Sequence, residues 1–428
     1  MNLFQLAKRL TARWRRWQIG QYSSEDRNIL YFSIDTACQG LVLGGIATFI
    51  SIFVVRLGAS SLLVSLLTSL PAMVGALLSI PMGLFVERQQ DPIRVTNRAR
   101  LFHRGSFLLI ALLPFFMRQG LAEATVVLWA LNSVPAALIN LSWMAVVAEI
   151  IPPKRRPSVN GARWALLSLV TAVAVALCGY MLDRLPFPIS YQIVFAISFL
   201  GGALSIYFFS LIQLPPAQSP RVALGKRVTL GQRVRRYVRS LVGAPLFVRY
   251  LLTTSVLRFA LNLPAALYSI YWIRHLNASD LWIGWQSTAG SLALIVGYFL
   301  WGRVASRKGH HLVLLACTFG VGIYPVWMGF VPTEFWLPLV AVVRGFFITG
   351  IDLSFFDTLL QVCPPDKRAS FIALNTVVAN LAIFLAPMAG SLLSGWLSIR
   401  VVFLVSGGIH LLATLLFWLF HVAAEEKG

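Results

Sequence analysis

Residues 151–158 read IPPKRRPS, and residues 363–370 read CPPDKRAS, 212 positions further along the chain. The two octapeptides share both prolines, a basic pair and the final serine. A second correspondence joins residues 83–88, GLFVER, to residues 302–307, GRVASR, at a similar offset. Repetition at a fixed period indicates an architecture built from copies of one structural unit. The sequence therefore predicts two related halves.

Long apolar stretches separate these motifs. The chain is 58% hydrophobic and only 12% charged, whereas a soluble domain carries roughly 25% charged residues. This composition excludes a water-soluble enzyme and indicates that lipid surrounds most of the protein. A transmembrane helix needs about 20 mostly apolar residues. We predict twelve such spans, near 28–55, 60–85, 99–117, 123–150, 158–182, 190–212, 247–274, 279–301, 310–330, 334–362, 370–396 and 399–422.

The spans divide the chain into five regions. An N-terminal segment, 1–27, carries Leu3, Leu6, Leu10, Trp14 and Trp17 at spacings of three and four, which is typical of an amphipathic helix on a membrane surface. A disordered basic tail is the alternative. We then predict a six-helix bundle over 28–212, a basic linker over 213–246, a second bundle over 247–422 and a short tail over 423–428.

The net charge of +21 is distributed unevenly between the two sides of the membrane. Of the 36 Lys and Arg residues, 29 fall in segments on the side of the N-terminus and five on the opposite side. Basic segments remain in the cytoplasm. We therefore predict a multi-pass protein of the cell membrane, plasma or inner, with both termini cytoplasmic.

The basic residues accompany no zinc-finger, RNA-binding or P-loop pattern, so we predict no nucleic-acid partner. The four cysteines form no CxxC pair, and the six histidines show no metal-ligand spacing. We therefore expect no metal, no cofactor and no catalytic residues, and we interpret the cysteines as small buried hydrophobic residues.

Glycine and charged residues follow the second and eighth spans in a characteristic order. Gly83, Glu87 and Arg88 match the first half of the pattern G-x-x-x-D-R-x-G-R-R, and Gly302 and Arg307 match it in the second copy, where a serine replaces the acid. With the repeat, the twelve spans and the basic linker, the chain resembles the major facilitator superfamily over nearly its whole length. The resemblance implies an all-α integral membrane fold of two six-helix bundles, related by a pseudo-twofold axis along the membrane normal. It also implies a central cavity lined by helices 1, 4, 7 and 10.

Polar side chains within the predicted spans fall on those four helices. An ionisable group in a span is costly to bury and needs a partner or a water-filled cavity. We predict that these residues bind substrate or carry a coupling proton, and structural Asp–Arg pairs remain the alternative. The predicted cavity residues are Asp35, Gln39, Asn132, Asn140, Arg258, Asn262, Arg344 and Asp352.

The motifs after the second and eighth spans predict a cytoplasmic gate. Glu87 is placed to cap a helix of the opposite half, and Arg88 to pair with Glu149 at the end of the fourth span. An ordinary solvated turn is the alternative. The predicted gate comprises Gly83, Glu87, Arg88, Glu149, Gly302, Arg303 and Arg307.

These features predict a secondary transporter that moves a small solute by alternating access as a monomer in the bilayer, with Asp35 as proton carrier. A mostly apolar cavity favours export of an amphiphilic or drug-like compound, although the fifth span lacks the Gly-Pro motif of proton-coupled drug antiporters. One alternative is an importer of a sugar, an organic anion or another metabolite, in which Arg258 and Arg344 bind a negative group. Another is a sensor or assembly factor that transports nothing.

Overall fold

The computed structural model describes residues 24–87, 89, 91–151, 155–213, 244–363 and 368–420. Regular structure in these residues is helical, and twelve helices are long and apolar enough to cross a membrane, as predicted. They are α1 Ser24–Arg56, α2 Ser61–Glu87, α3 Pro92–Phe116, α4 Leu121–Leu131 with Ser133–Ile150, α5 Arg156–Arg184, α6 Ile189–Ser210, α7 Pro245–His275, α8 Asp280–Lys308, α9 His310–Phe330, α10 Leu337–Val362, α11 Arg368–Trp396 and α12 Ile399–Phe420.

The third helix begins earlier than the sequence predicted. Pro92 occupies its first turn, and the Asp91 carboxylate accepts a hydrogen bond of 3.0 Å from the Arg94 amide, which caps the helix. Arg100 and Arg104 therefore lie inside α3. Arg163 likewise lies inside α5. The count of 29 basic residues on the N-terminal side had included these three arginines, although the predicted spans 99–117 and 158–182 already contain them.

The internal repeat is visible in the helix packing. In the first half, α1 packs on α5 and α6, α2 on α4, and α3 on α4 and α6. The corresponding pairs occur in the second half: α7 packs on α11 and α12, α8 on α10, and α9 on α10 and α12. The two halves meet along α2–α11 and α5–α8. These two contacts are equivalent, because α2 corresponds to α8 and α5 to α11. Six spans per half preserve orientation, so the relating axis lies along the membrane normal.

Helix α1 approaches α5 closely through two glycines one turn apart. A Cβ atom added to Gly40 would lie 2.8 Å from the Val170 Cβ, and one added to Gly44 would lie 2.6 Å from the Ala174 Cβ. Small residues allow such contacts between membrane helices. The adjoining turn of α1, Leu43–Ala47, is a π-helix.

The outer surface of the bundle is apolar. Phe102, Phe116 and Trp396 are 75%, 81% and 87% exposed. A continuous apolar surface of this kind is unstable in water. Lipid is therefore its natural environment. The four cysteines are buried and free, as interpreted from the sequence.

The predicted surface helix, the central part of the basic linker and the C-terminal tail lie outside the described residues. The region boundaries given above therefore stay predictions.

Candidate substrate cavity

A cavity of about 310 Å³ lies within the first half, between α1, α3, α4 and α5. It brings together three of the predicted residues with three arginines that the sequence had not assigned to a site. Its polar lining includes Asp35, Gln39, Arg100, Arg104, Asn140 and Arg163.

Asp35 and Arg100 form an ion pair in this cavity. The Arg100 Nη1 atom lies 2.6 Å from the Asp35 Oδ1 atom, and both side chains are 4% exposed. The Ser205 hydroxyl donates a hydrogen bond of 2.6 Å to the same carboxylate oxygen. A buried ion pair is tolerated when its remaining hydrogen-bonding groups are satisfied. Ser205 contributes to that condition from α6.

Gln39 and Arg104 repeat this arrangement one turn along the same two helices. The Arg104 guanidinium donates to the Gln39 side-chain oxygen. The partners in Asp35–Arg100 and in Gln39–Arg104 are both 65 positions apart. Equal separations one turn apart show that α1 and α3 run parallel and in register. Four-residue spacing places successive side chains on one helix face. The i, i+4 pair predicted on α1 therefore faces an i, i+4 pair of arginines on α3.

Arg163 enters the cavity from α5. Its Nε atom donates a hydrogen bond of 2.8 Å to the Thr36 hydroxyl. Its guanidinium lies 3.4 Å from the centroid of the Phe32 ring and 5.2 Å from that of Trp143. Cation–π contacts stabilise a desolvated arginine without neutralising its charge.

A second cavity of about 290 Å³ lies in the other half, between α7, α10 and α11. It contains Arg258, Asn262 and Asp352, three residues that the sequence predicted. The Asn262 amide donates a hydrogen bond of 2.8 Å to the Arg258 carbonyl oxygen. Arg258 also lies over the Phe355 ring at 5.2 Å. The predicted cavity residues therefore form two groups, one in each half.

Two predicted cavity residues lie elsewhere. Asn132 interrupts α4 and lines a groove with Met82, Phe85 and Arg98 on the α2–α3 side. Arg344 is exposed on α10, with its guanidinium 5.5 Å from the Tyr324 ring centroid. Neither residue lines the two cavities described above.

The predicted gate is described only in part. Arg88 and the side chains of Glu87 and Glu149 lie outside the described residues. Gly302 lies near the end of α8, and Arg303 and Arg307 are exposed there. Arg303 stacks on Phe299 at 3.8 Å. The gate stays a prediction.

Cross-half hydrogen bonds gather at the opposite end of the bundle. Arg56, at the end of α1, forms an ion pair of 3.1 Å with Asp280 at the start of α8. Tyr191 of α6 donates a hydrogen bond of 2.7 Å to the same carboxylate. Arg274 donates to the Ala59 carbonyl oxygen. We call the end of the bundle defined by these contacts the sealed end.

A carboxylate from α5 completes the sealed end by capping α8. The two oxygens of Asp183 accept hydrogen bonds from the backbone amides of Asp280 and Leu281, at 2.9 and 3.1 Å. The first amides of a helix have no partner within it and attract negative charge. Gly179 lies against the same turn, where an added Cβ atom would lie 2.8 Å from the Asp280 carbonyl oxygen.

Sequence reasoning missed Arg100, Arg104 and Arg163, and it missed the sealed end. The charges of the three arginines were counted with the neighbouring loops, because the arginines lie at the ends of their spans next to those basic loops. The parallel spacing of Asp35–Gln39 and Arg100–Arg104 was the available signal. The pairing of Arg56 with Asp280 joins residues 224 positions apart and left no local signal.

Comparison with known proteins gives one family. The family model described as Major Facilitator Superfamily matches residues 33–271 and 250–428. The chain is 29% identical over 119 residues to the multi-drug resistance efflux pump PmrA homolog of Lactococcus lactis, which is 27% of this chain and 29% of that protein. It is 27% identical over 138 residues to the multidrug resistance protein MdtG of Escherichia coli, 32% of this chain and 33% of that protein. The chain thus spans about a third of the length of these relatives.

Solved structures with the same fold cover almost the whole chain. The nucleoside transporter NupG superposes with a TM-score of 0.70 at 12% identity, over 92% of this chain and 99% of that one. The D-xylose-proton symporter gives 0.67 at 14% identity, over 94% and 97%. A bacterial homologue of the iron transporter ferroportin, in an inward-facing state, gives 0.69 at 13% identity, over 93% and 98%.

Proposed function

Because the chain belongs to the major facilitator superfamily of multi-pass membrane transporters, we propose that it exports a small amphiphilic solute by alternating access, coupled to protons. One observation carries this proposal: charged groups within the spans converge on a cavity in each half, buried in the first half and half-buried or exposed in the second, while contacts between the halves close one end of the bundle. Buried charge at membrane depth marks a pathway for a substrate or an ion.

The positive charge bias supports a cytoplasmic N-terminus. With that orientation the sealed end is extracellular, and the structure is the inward-facing state. The cavities then receive solute from the cytoplasm. Opening the sealed end while the other end closes would expose them to the outside.

Asp35 is the proposed proton carrier. Its carboxylate is buried and held by Arg100 and Ser205. Protonation removes its negative charge and weakens the ion pair with Arg100. A change of protonation between the two states would therefore rearrange the cavity wall and link proton movement to solute movement.

Export of an amphiphilic compound is supported by the cavity lining and by the relatives. Leu43, Ile139, Trp143, Trp164 and Leu167 supply apolar surface to the cavity beside its charged groups. One relative is named a multi-drug resistance efflux pump and another a multidrug resistance protein.

Reconstitution in proteoliposomes tests this function. We expect an imposed pH gradient to drive movement of at least one amphiphilic dye among Hoechst 33342, rhodamine 6G and fluorescein. An uncoupler and the Asp35→Asn substitution should each abolish it. Asp357→Asn is the matched control, because Asp357 is 45% exposed beside His310 and lies outside both cavities.

Gradient-driven movement of a radiolabelled sugar or of a hydrophilic organic anion that lacks an apolar body, with all three dyes static, would favour the importer. A folded protein that moves neither dyes nor metabolites would favour the sensor or assembly factor.

A further inference from the structure

We propose that the cavity between α1, α3, α4 and α5 binds the carboxylate group of an amphiphilic organic acid between Arg104 and Arg163. This inference rests on the proposed transport function and names the class of its substrate. It assigns to these two arginines a role that the fold does not require of them.

Arg104 is a buried cation whose described partners carry no negative charge. The residue is 3% exposed. Its guanidinium donates to the Gln39 side-chain oxygen and lies 3.2 Å from the His103 ring nitrogen. Within the described part of the chain, no carboxylate lies within ion-pair distance of it. Burying a charge is expensive unless an opposite charge accompanies it.

Arg163 is in the same situation on the opposite wall. It is 6% exposed, and its contacts are the neutral Thr36 hydroxyl and two aromatic rings. Across the ranges that the structure describes, no carboxylate forms an ion pair with it either. The rings orient the guanidinium and leave its charge uncompensated.

Asp35 forms its ion pair with Arg100 and with neither of these two arginines. Its two oxygens accept from Arg100 at 2.6 and 3.4 Å, and Ser205 takes a further position on the first oxygen. The cavity lining contains three guanidiniums and this one carboxylate, so two positive charges remain in excess when His103 is neutral. The cavity of the second half contains one arginine and one aspartate and has no such excess.

The shape and remaining lining define the rest of the ligand. A cavity of about 310 Å³ with Ile139, Trp143 and Trp164 in its wall suits an aromatic or branched apolar body. Planar guanidiniums recognise carboxylates with paired, charge-assisted hydrogen bonds. An organic acid with one carboxylate and an apolar body therefore satisfies both walls.

Three probes with one apolar skeleton test the proposal on the full-length protein in detergent. They are 4-phenylbutyrate, 4-phenylbutyramide and 4-phenylbutylamine, and affinity is measured by calorimetry with thermal shift as a second readout. We expect the carboxylate to bind at least about tenfold more tightly than the amide, because hydrogen bonds to charged groups are worth more than neutral ones. The amine should bind least. Equal binding of carboxylate and amide, or no detectable binding of the carboxylate, would overturn the proposal.

Substitutions then locate the site. Arg104→Gln and Arg163→Gln are each expected to weaken carboxylate binding about ten- to hundredfold and to leave amide binding unchanged. Arg98→Gln removes the same charge from an exposed position on α3 outside the cavity and should change neither. If Arg104→Gln is not recovered folded, Arg104→Lys retains the charge and should weaken binding less than Arg163→Gln. Loss of carboxylate binding in Arg98→Gln to the same extent would show that the effect is not local.

The binding measurement needs no gradient, so it separates this inference from the proposed function. Tight carboxylate binding without transport of any compound would leave the arginine site standing and refute transport. Gradient-driven dye export without preference for the carboxylate would refute the site and leave transport standing.

Discussion

Replacing Asp280 by asparagine is expected to open the sealed end. The carboxylate receives Arg56 at 3.1 Å and the Tyr191 hydroxyl at 2.7 Å, and it joins the first half to the second. Asparagine keeps the size of the side chain and removes its charge. The substitution therefore weakens a contact that exists only while this end is closed.

The size of the expected effect follows from how deeply the Arg56–Asp280 ion pair is buried. The Asp280 side chain is 5% exposed, whereas Arg56 is 30% exposed and retains part of its hydration. Breaking a fully buried pair costs about 3–5 kcal/mol, and an exposed pair is worth below about 1 kcal/mol. An intermediate loss of about 2 kcal/mol shifts the equilibrium between closed and open forms by about thirtyfold.

Electron–electron distance measurements between spin labels report that equilibrium. Gln119 and Thr333 lie in exposed loops of the two halves at this end and accept labels after substitution by cysteine. The four native cysteines are buried, which favours selective labelling. We expect Asp280→Asn to add a population with a longer distance.

Arg184→Gln is the control, because Arg184 is exposed at the same end and contacts Tyr180. It should leave the distance distribution unchanged. The double substitution Arg56→Gln with Asp280→Asn should open the end little more than Asp280→Asn alone. The reasoning fails if the distance distribution of Asp280→Asn is the same as that of Arg184→Gln. It also fails if the shifts caused by Arg56→Gln and by Asp280→Asn add in the double variant.

Three further predictions concern stability, each measured by thermal unfolding in detergent. Asp35→Asn leaves Arg100 buried without a charged partner and should lower stability by about 3–5 kcal/mol, and replacing both residues by leucine should recover much of the loss; an unchanged midpoint in Asp35→Asn would contradict this. Gly44→Val should lower the free energy of unfolding by about 1–3 kcal/mol, because the added atoms collide with Ala174. Gly58→Ala, at a glycine with a φ of 86°, tests backbone strain instead of packing. Arg155→Gln should change stability by less than about 1 kcal/mol, because its contacts with Glu25 and Asp26 are exposed.

Most of the fold was predictable because lipid imposes simple rules on sequence. Twelve apolar stretches of sufficient length, and the matching motifs of the two halves, are properties of contiguous residues. Arg258, Asn262 and Asp352 could be singled out because they are isolated polar residues in apolar spans; they line one cavity of the second half, where a single central cavity was predicted, and their role stays a prediction.

The charged wall of the first-half cavity was not predictable by the same rules. Arg100, Arg104 and Arg163 fall inside the predicted spans 99–117 and 158–182, but they lie at the basic ends of those spans, so their charges were counted with the adjoining loops. Because the Asp91 cap begins α3 at Pro92, before the predicted span, Arg100 and Arg104 lie well inside the helix. Asn132 was predicted to line the cavity because it is a polar residue within a span. It lies in a groove on another face of the bundle, so polarity within a span does not by itself identify a cavity residue.

The cap that Asp183 provides to α8 places an uneven demand on sequence change. Its carboxylate binds peptide N–H groups, which every residue except proline supplies, so position 281 can vary without loss of its bond, whereas position 280 also needs its own carboxylate for Arg56 and Tyr191. Position 183 has no such freedom. Substitution at position 281 is thus tolerated, whereas the contact between the halves requires an acidic side chain at both 183 and 280.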